Sequence, residues 1–302
     1  MSAKDHNQNF RSGYIVLAGK PNVGKSTLFN ALVGERLSIV SHKPQTTRNN
    51  IIGILTTDKS QMIFQDTPGL LEPQYRLHEA MLRSIGKAVG EADIVLGMVD
   101  ASDFESSFSE TLKRTLNATN LKRIVALNKI DLVGSDEVER FLAEINTSID
   151  AHQMVAISAA TGQNLDELQS ILESALPFGP MYYPEDTLTE HPERFFVAEL
   201  IREEIFSRLR QELPYAIAVK VEEFKEDRSK VYIRADIVVE RNSQKGIVIG
   251  QGGKTLRNIG RNARMRIESF LERQVYLDLQ VKVYENWRKK DSALRGFGYD
   301  VS

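Results

Sequence analysis

Nothing in this chain limits its fold more than the stretch Gly19-Lys20-Pro21-Asn22-Val23-Gly24-Lys25-Ser26-Thr27. Gly19 and Gly24 bracket four residues and Lys25-Ser26 follow at once, the pattern G-x-x-x-x-G-K-[ST]. The apolar run Gly13–Ala18 before it predicts a buried strand, and Leu28–Val33 after it predicts a helix that ends at Gly34. A strand feeding a glycine-rich turn into a helix aims several backbone N–H groups and a helix N-terminus at one point. That arrangement binds phosphate. Lys25 would then reach the β- and γ-phosphates, and the Ser26 hydroxyl would ligate Mg²⁺.

The chain has 302 residues, enough for two domains of ordinary size. It contains no cysteine, which excludes a disulfide framework and a thiolate zinc site. The net charge of −2 gives no sign of nucleic-acid binding, so any basic surface must be local. Met1–Ser12 is polar, lacks the apolar core of a signal peptide, and reads as a loose tail. No apolar stretch approaches the roughly 20 residues needed to span a bilayer.

From Gly13 to about Leu176, apolar runs alternate with amphipathic segments. The expected strands are Tyr14–Ala18, Ile51–Thr56, Gln61–Gln65, Ile94–Asp100, Arg123–Leu127 and Met154–Ile157, with helical patterns such as Arg76–Gly90 and Asp136–Ala151 between them. This alternation predicts an α/β domain, a mostly parallel sheet with helices on both faces. Ligands of such sheets sit at the carboxyl ends of the strands. Asp66-Thr67-Pro68-Gly69 follows the third strand, where Asp66 can hold Mg²⁺ and Gly69 lets a backbone N–H approach a γ-phosphate. Asn128-Lys129-Ile130-Asp131 follows the fifth. Asp131 can accept from N1–H and the 2-amino group of guanine, which adenine lacks, while the stem of Lys129 can lie over the base. Ser158 and Ala159, after the sixth strand, offer backbone N–H to guanine O6. In the polar loop Lys43-Pro44-Gln45-Thr46-Thr47-Arg48, a threonine hydroxyl joining the Mg²⁺ shell only with γ-phosphate present would make a switch. Spacing alone does not choose between Thr46 and Thr47.

These motifs, in this order, resemble the GTP-binding domain of the translation-factor-related GTPases. Lys43–Arg48 and Asp66-Thr67-Pro68-Gly69-Leu70 resemble the Era branch of that class. The resemblance implies binding of GTP and GDP by the whole loop Gly19–Thr27, and a switch threonine at Thr47, immediately before the Arg. Leu70 stands where Ras-like enzymes carry a water-orienting Gln. In related GTPases with a hydrophobic residue there, a potassium ion held partly by the phosphate-loop Asn serves hydrolysis, and Asn22 occupies that position. Lys25, Thr47, Gly69 and Asn22 are the expected catalytic set.

Pro177-Phe178-Gly179-Pro180 ends the first domain, 13–177, and a Pro-punctuated linker is expected over 178–190. The second domain, 191–302, opens with an amphipathic helix whose mixed charges favour packing on a sheet over a membrane surface. Strand-like runs Ala216–Phe224 and Lys230–Glu240 follow. A short helix then reaches Ile249, a second runs from Lys254 to about Glu272, and Val275–Val283 closes the unit. Between the helices lies Gly250-Gln251-Gly252-Gly253, a G-x-x-G loop. The basic residues around it are Arg241, Lys245, Lys254, Arg257, Arg261, Arg264, Arg266 and Arg273, against Glu268 and Glu272. This is the local basic surface that net charge concealed. The loop and the αββααβ order resemble a type II KH module, an α+β domain that clamps about four nucleotides of single strand. Ile247–Gly253 and Val281–Arg288 resemble the C-terminal domain of the Era family, so the resemblance spans nearly the whole chain. It implies a cytoplasmic, monomeric GTPase whose RNA is the 3′ end of small-subunit (16S) ribosomal RNA, with a role in maturation of the small ribosomal subunit. Relatives are also reported at the inner face of the membrane, though no anchor is visible in these residues. A scaffold with a structural nucleotide is the alternative. The tRNA-modification branch would carry a C-terminal Cys, and the tandem branch a second phosphate loop.

Overall fold

The apolar run before the glycine-rich loop forms strand β1, Arg11–Ala18, with Ile15, Val16 and Leu17 fully buried. The computed structural model describes residues 9–41, 43, 46–209, 213–227 and 230–301. Pro44 and Gln45 of the switch loop and Met1–Gln8 of the tail lie outside the described residues. The chain divides into two units. The second takes Ile39–Thr46, Pro73–Ala80 and His191–Ser302, and the first takes the remainder.

In the first unit β1 runs into helix α1 (Lys25–Val33), followed by β2 (Ile51–Thr56), β3 (Ser60–Asp66) and α2 (Arg76–Glu91), whose first turns belong to the second unit. Then come β4 (Ile94–Asp100), α3 (Phe104–Ser107), α4 (Glu110–Asn117), β5 (Lys122–Asn128), α5 (Ser135–Ser148), β6 (Gln153–Ala156) and α6 (Leu165–Ala175). The strand order is β2-β3-β1-β4-β5-β6. Every pairing is parallel except β2 with β3. Strands covered on both faces read as unbroken apolar runs, and β4 is buried at every position. Parallel strands deliver their carboxyl ends to one rim, which gathers the loops after β1, β3, β5 and β6.

Two stretches differ from expectation. Arg11 and Ser12 are strand rather than tail: their N–H groups donate to the carbonyls of Lys59 and Pro177 at 3.0 and 3.2 Å. Ser12 is fully buried, its hydroxyl donating to the Pro180 carbonyl at 2.6 Å. Partners this distant in sequence leave no local signature, so polar letters hid the strand. Residues 178–190, expected as linker, are strapped to the first unit. Gln61 Oε1 accepts from the N–H groups of Tyr182 and Tyr183 at 2.8 and 2.9 Å, and Gln61 Nε2 donates back to the Tyr183 carbonyl at 2.9 Å. The Ile54 N–H donates to the Leu188 carbonyl at 2.8 Å, and Thr189 Oγ1 to the Ile52 carbonyl at 2.6 Å.

The second unit comprises α7 (Glu193–Arg208), β7 (Ala218–Glu226), β8 (Val231–Val239), α8 (Asn242–Ile249), α9 (Lys254–Leu271), β9 (Val275–Val283) and α10 (Asp291–Gly296). The sheet order is β7-β8-β9, antiparallel then parallel. This is the expected αββααβ order. Ile259, Ala263 and Ile267 of α9, spaced by one helical turn, pack with Ile201 and Ile205 of α7 over Ile233 and Ile237 of β8. Three charged residues of α7 are buried and partnered rather than solvated. Arg202 pairs with Glu199 and donates to the Thr46 carbonyl, Glu203 pairs with Arg266 at 2.5 Å, and Glu204 accepts from Asn262 at 3.1 Å. No helix among the described residues is long and apolar enough to cross a membrane.

Trp287, the chain's one tryptophan, is fully buried. Its indole N–H donates to the Ala216 carbonyl at 3.0 Å, and Phe297 meets it edge-on at 5.2 Å. Trp287→Ala should therefore cost the second unit about 3–5 kcal/mol. Urea denaturation followed by far-UV circular dichroism measures this, and an unchanged midpoint would contradict the packing role.

Candidate nucleotide site and nucleic-acid interface

The loop between β1 and α1 has the geometry that its glycines require. Gly24, at φ +100°, is the N-cap of α1, so the helix N-terminus opens at Lys25, Ser26 and Thr27. A Cβ on Gly24 would lie 2.2 Å from Nδ2 of Asn128, which crosses there to donate to the Val23 carbonyl at 2.9 Å. Lys25 is buried and folds back over the loop, its ammonium donating to the carbonyls of Gly19 and Lys20 at 3.0 and 2.9 Å. Burial pulls that ammonium down to about 8, against the attraction of Asp66. Asn22 takes the left-handed conformation, φ 68°, a conformation in which Asn is several-fold enriched.

The loop after β3 closes on the same place. The Leu70 N–H donates to the Gly19 carbonyl at 3.0 Å, and Thr67 Oγ1 to the Leu17 carbonyl at 2.7 Å. A Cβ on Gly69 would lie 2.6 Å from the Pro21 nitrogen, so glycine is demanded by the approach of the two loops. Pro68 and Gly69 are buried between them, and Leu70 is buried too.

Asp66 collects hydroxyls. Its Oδ2 accepts from Ser26 Oγ at 2.8 Å, Thr47 Oγ1 at 3.1 Å and Ser38 Oγ at 2.7 Å, and the Ser26 and Thr47 oxygens are 3.0 Å apart. Oδ1 is buried and takes no hydrogen bond among the described residues. Burial pushes this carboxyl above the usual carboxylate range, opposed by the Ser38 hydrogen bond and the Lys25 charge. An orphaned carboxylate oxygen among hydroxyl oxygens is a donor set for a hard divalent cation. The side chains of Ser26, Thr47 and Asp66, residues expected from the motifs, meet here. No motif letter marks Ser38, the third hydroxyl on Asp66.

The base end is built on Asn128. Its Oδ1 accepts from the Ala159 N–H at 2.9 Å while Nδ2 reaches Val23, so one buried amide joins three loops. Lys129 is left-handed, φ 64°, which turns Asp131 outward. The Asp131 carboxylate is exposed and has no hydrogen-bond partner among the described residues. The two backbone amides expected to face guanine O6 have partners within the fold. The Ser158 N–H is spent on the Gln163 carbonyl at 3.1 Å and that of Ala159 on Asn128, so the next unengaged N–H among the described residues is that of exposed Ala160. Spacing names the loop but not which amide its own fold leaves open.

The second unit presents its own surface at Gly250–Gly253. Gly250, Gly252 and Gly253 have φ of 72°, 58° and 74°, and they join α8 to α9 in one tight turn with Gln251 and Gly252 exposed. Beside the turn a cleft of about 420 Å³ has Leu256, Gly260, Leu277 and Leu279 in its lining, together with Arg257, Arg261 and Arg264. Arg257 and Arg261 are exposed without an ion pair among the described residues, and Lys254 likewise; Lys245 is half-buried. Arg266 and Arg273 do not join this ridge, being paired with Glu203 and with Glu193 and Glu226. A sequence count of basic residues cannot see such pairing.

The 50S ribosome-binding GTPase family matches residues 14–129, and the KH domain family matches residues 212–288. GTPase Era of Carboxydothermus hydrogenoformans is 44% identical over 96% of this chain and 98% of its own length. The chloroplastic GTPase ERA-like protein of rice, Oryza sativa subsp. japonica, is 43% identical over 97% of this chain and 70% of its own. Among solved structures, Era in complex with MgGDPNP and nucleotides 1506–1542 of 16S ribosomal RNA matches 96% of this chain and 99% of that one, at 38% identity and a TM-score of 0.91. A variant of Aquifex aeolicus Era bound to GDP·AlF4⁻ matches the same shares at 38% identity and a TM-score of 0.89. With the GTPase module and the KH module in the same order and a match along nearly its whole length, the chain belongs to the Era family of GTPases.

Proposed function

We propose that this GTPase grips the single-stranded 3′ end of small-subunit (16S) ribosomal RNA with its KH unit and assists maturation of the small ribosomal subunit, the bound nucleotide setting when it does so. The observation that carries this reading is the ridge of Arg257 and Arg261, exposed and without an ion pair among the described residues, beside an open glycine turn. The matched Era structure, solved with nucleotides 1506–1542 of 16S ribosomal RNA, supplies the identity of the RNA.

In this reading the apolar floor of the cleft takes bases, and Lys245, Lys254, Arg257 and Arg261 take phosphates along the backbone that approaches Gly250, Gln251, Gly252 and Gly253. At the other site the amides of Gly19–Thr27 cradle the phosphates of GTP, and Lys25 exchanges its two carbonyl partners for phosphate oxygens. Asp131 selects guanine, the stem of Lys129 covers the base, and Ala160 with the Ser158–Ala159 loop faces O6. Ser26, Thr47 and Asp66 would hold Mg²⁺, which neutralises charge on the β- and γ-phosphates. The Gly69 N–H faces the γ-phosphate. Leu70 offers no hydrogen bond to orient water, and Asn22 would share a potassium ion that supplies positive charge near the phosphates.

Asp131→Asn should move base preference from guanine toward xanthine, checked by competition between GDP and XDP; retained GDP selectivity removes Asp131 from the base site. Gly252→Asp adds a charge where a Cβ meets nothing within 4 Å, at a left-handed φ of 58° that strains most side chains but that Asp adopts more readily than most. It should abolish binding of a 16S 3′-end oligonucleotide while leaving GTP affinity unchanged, and RNA binding at wild-type strength would defeat the KH reading. Replacing potassium by sodium should slow GTP turnover, and equal rates in the two salts would exclude the role given to Asn22.

A further inference from the structure

Asp100 ends β4 directly opposite Asn128 in the register with β5. It is 5% exposed. Its Oδ1 accepts from the N–H and the hydroxyl of Ser102 at 2.9 and 2.7 Å, capping the turn Ala101–Asp103. Its own N–H donates to Ser107 Oγ at 2.9 Å. The remaining oxygen, Oδ2, lies 2.5 Å from Nζ of Lys129, whose side chain is 30% exposed. A fixed carboxylate thus holds the tip of the lysine, and the left-handed backbone of Lys129 holds its root.

We infer that Asp100 is a positioning residue for nucleotide binding: it lays the aliphatic stem of Lys129 in the place that the guanine plane covers. The inference rests on the base-site reading of Asn128–Asp131. An unrestrained lysine loses its rotamer freedom when a base settles on it. Pinned at both ends, Lys129 has lost that freedom before the nucleotide arrives, which is preorganisation. The carboxylate also balances the ammonium, so the charged tip stays at Asp100 instead of swinging into the base site. Asp100 touches neither the base edge nor the phosphates in this arrangement. Its effect should therefore be uniform between ground and transition states, appearing in KM rather than kcat.

The substitution Asp100→Asn separates this role from a structural one. Asn caps a turn as well as Asp does, but it is uncharged and, with Oδ1 kept on Ser102, turns an NH2 donor rather than an acceptor toward the ammonium. Fluorescent GDP and GTP titrations with the full chain should show Asp100→Asn weakening both nucleotides about tenfold, the scale of one charge-assisted hydrogen bond. KM for GTP should rise with kcat preserved, and the melting temperature of the nucleotide-free protein should stay at the wild-type value. In the Lys129→Met background the same substitution should change affinity less than about twofold, because the charge it holds is gone. Wild-type affinity in Asp100→Asn, or an equal loss in both backgrounds, overturns the inference. A wild-type chain without preference for GDP over ADP and XDP overturns the base-site reading itself, and this proposal with it. Should Asp100→Asn not fold, Asp100→Ser, which also caps, replaces it in the same double-mutant cycle. A loss confined to the Lys129 background then supports the inference, and wild-type affinity or an equal loss in both backgrounds overturns it.

Discussion

The nucleotide site depends on the side-chain amide of Asn128. Its two hydrogen bonds, to the Val23 carbonyl and from the Ala159 N–H, are buried and both 2.9 Å long. They span the loops after β1 and β6 from a residue at the end of β5. Removing the amide would leave a buried donor and a buried acceptor unsatisfied, at about 1–3 kcal/mol each. Gly24 belongs to the same constraint, since any side chain there would meet the Asn128 amide. The phosphate end and the base end are thus parts of one strut, and neither can move independently of the other.

The site follows a division of labour between spent and unspent groups. Asn128, Thr67 and the Ser158 and Ala159 amides are consumed in holding loops together. Asp131, Asp66 Oδ1, Arg257 and Arg261 have no hydrogen-bond or ion-pair partner among the described residues. Unspent polar groups surrounded by satisfied ones are where a ligand gains most, because nothing has to be broken to receive it.

Legibility from sequence follows the range of the interaction. The glycine-rich loop, the strand-end motifs and the αββααβ order are local patterns, and all appear where the letters place them. Spacing does not separate Thr46 from Thr47, because hydroxyls one residue apart differ only in which way the backbone points them. The buried ion pairs of α7, the strand character of Arg11 and Ser12, and the loss of Arg266 and Arg273 from the basic ridge were invisible. Glu203–Arg266 of α7, the bonds of Arg11 and Ser12 to Lys59 and Pro177, and those of Arg273 to Glu193 and Glu226 all join residues tens of positions apart or more. Ser38 is the same case inside the site: an unremarkable serine that three-dimensional closure turns into the shortest hydroxyl contact of Asp66.

The strap formed by residues 178–190 bears on how the first unit behaves alone. Strand β2 is an end strand, and end strands expose N–H and C=O rows that recruit other chains. Here the chain's own departing segment fills part of that row, through Leu188 and Thr189. The same segment fills the polar needs of Gln61, which is fully buried. A GTPase unit cut at Pro177, where the composition suggests a boundary, would bare a sticky edge and strand a buried amide. The natural point of excision is past Glu190, and solubility rather than nucleotide affinity is where the difference would be felt.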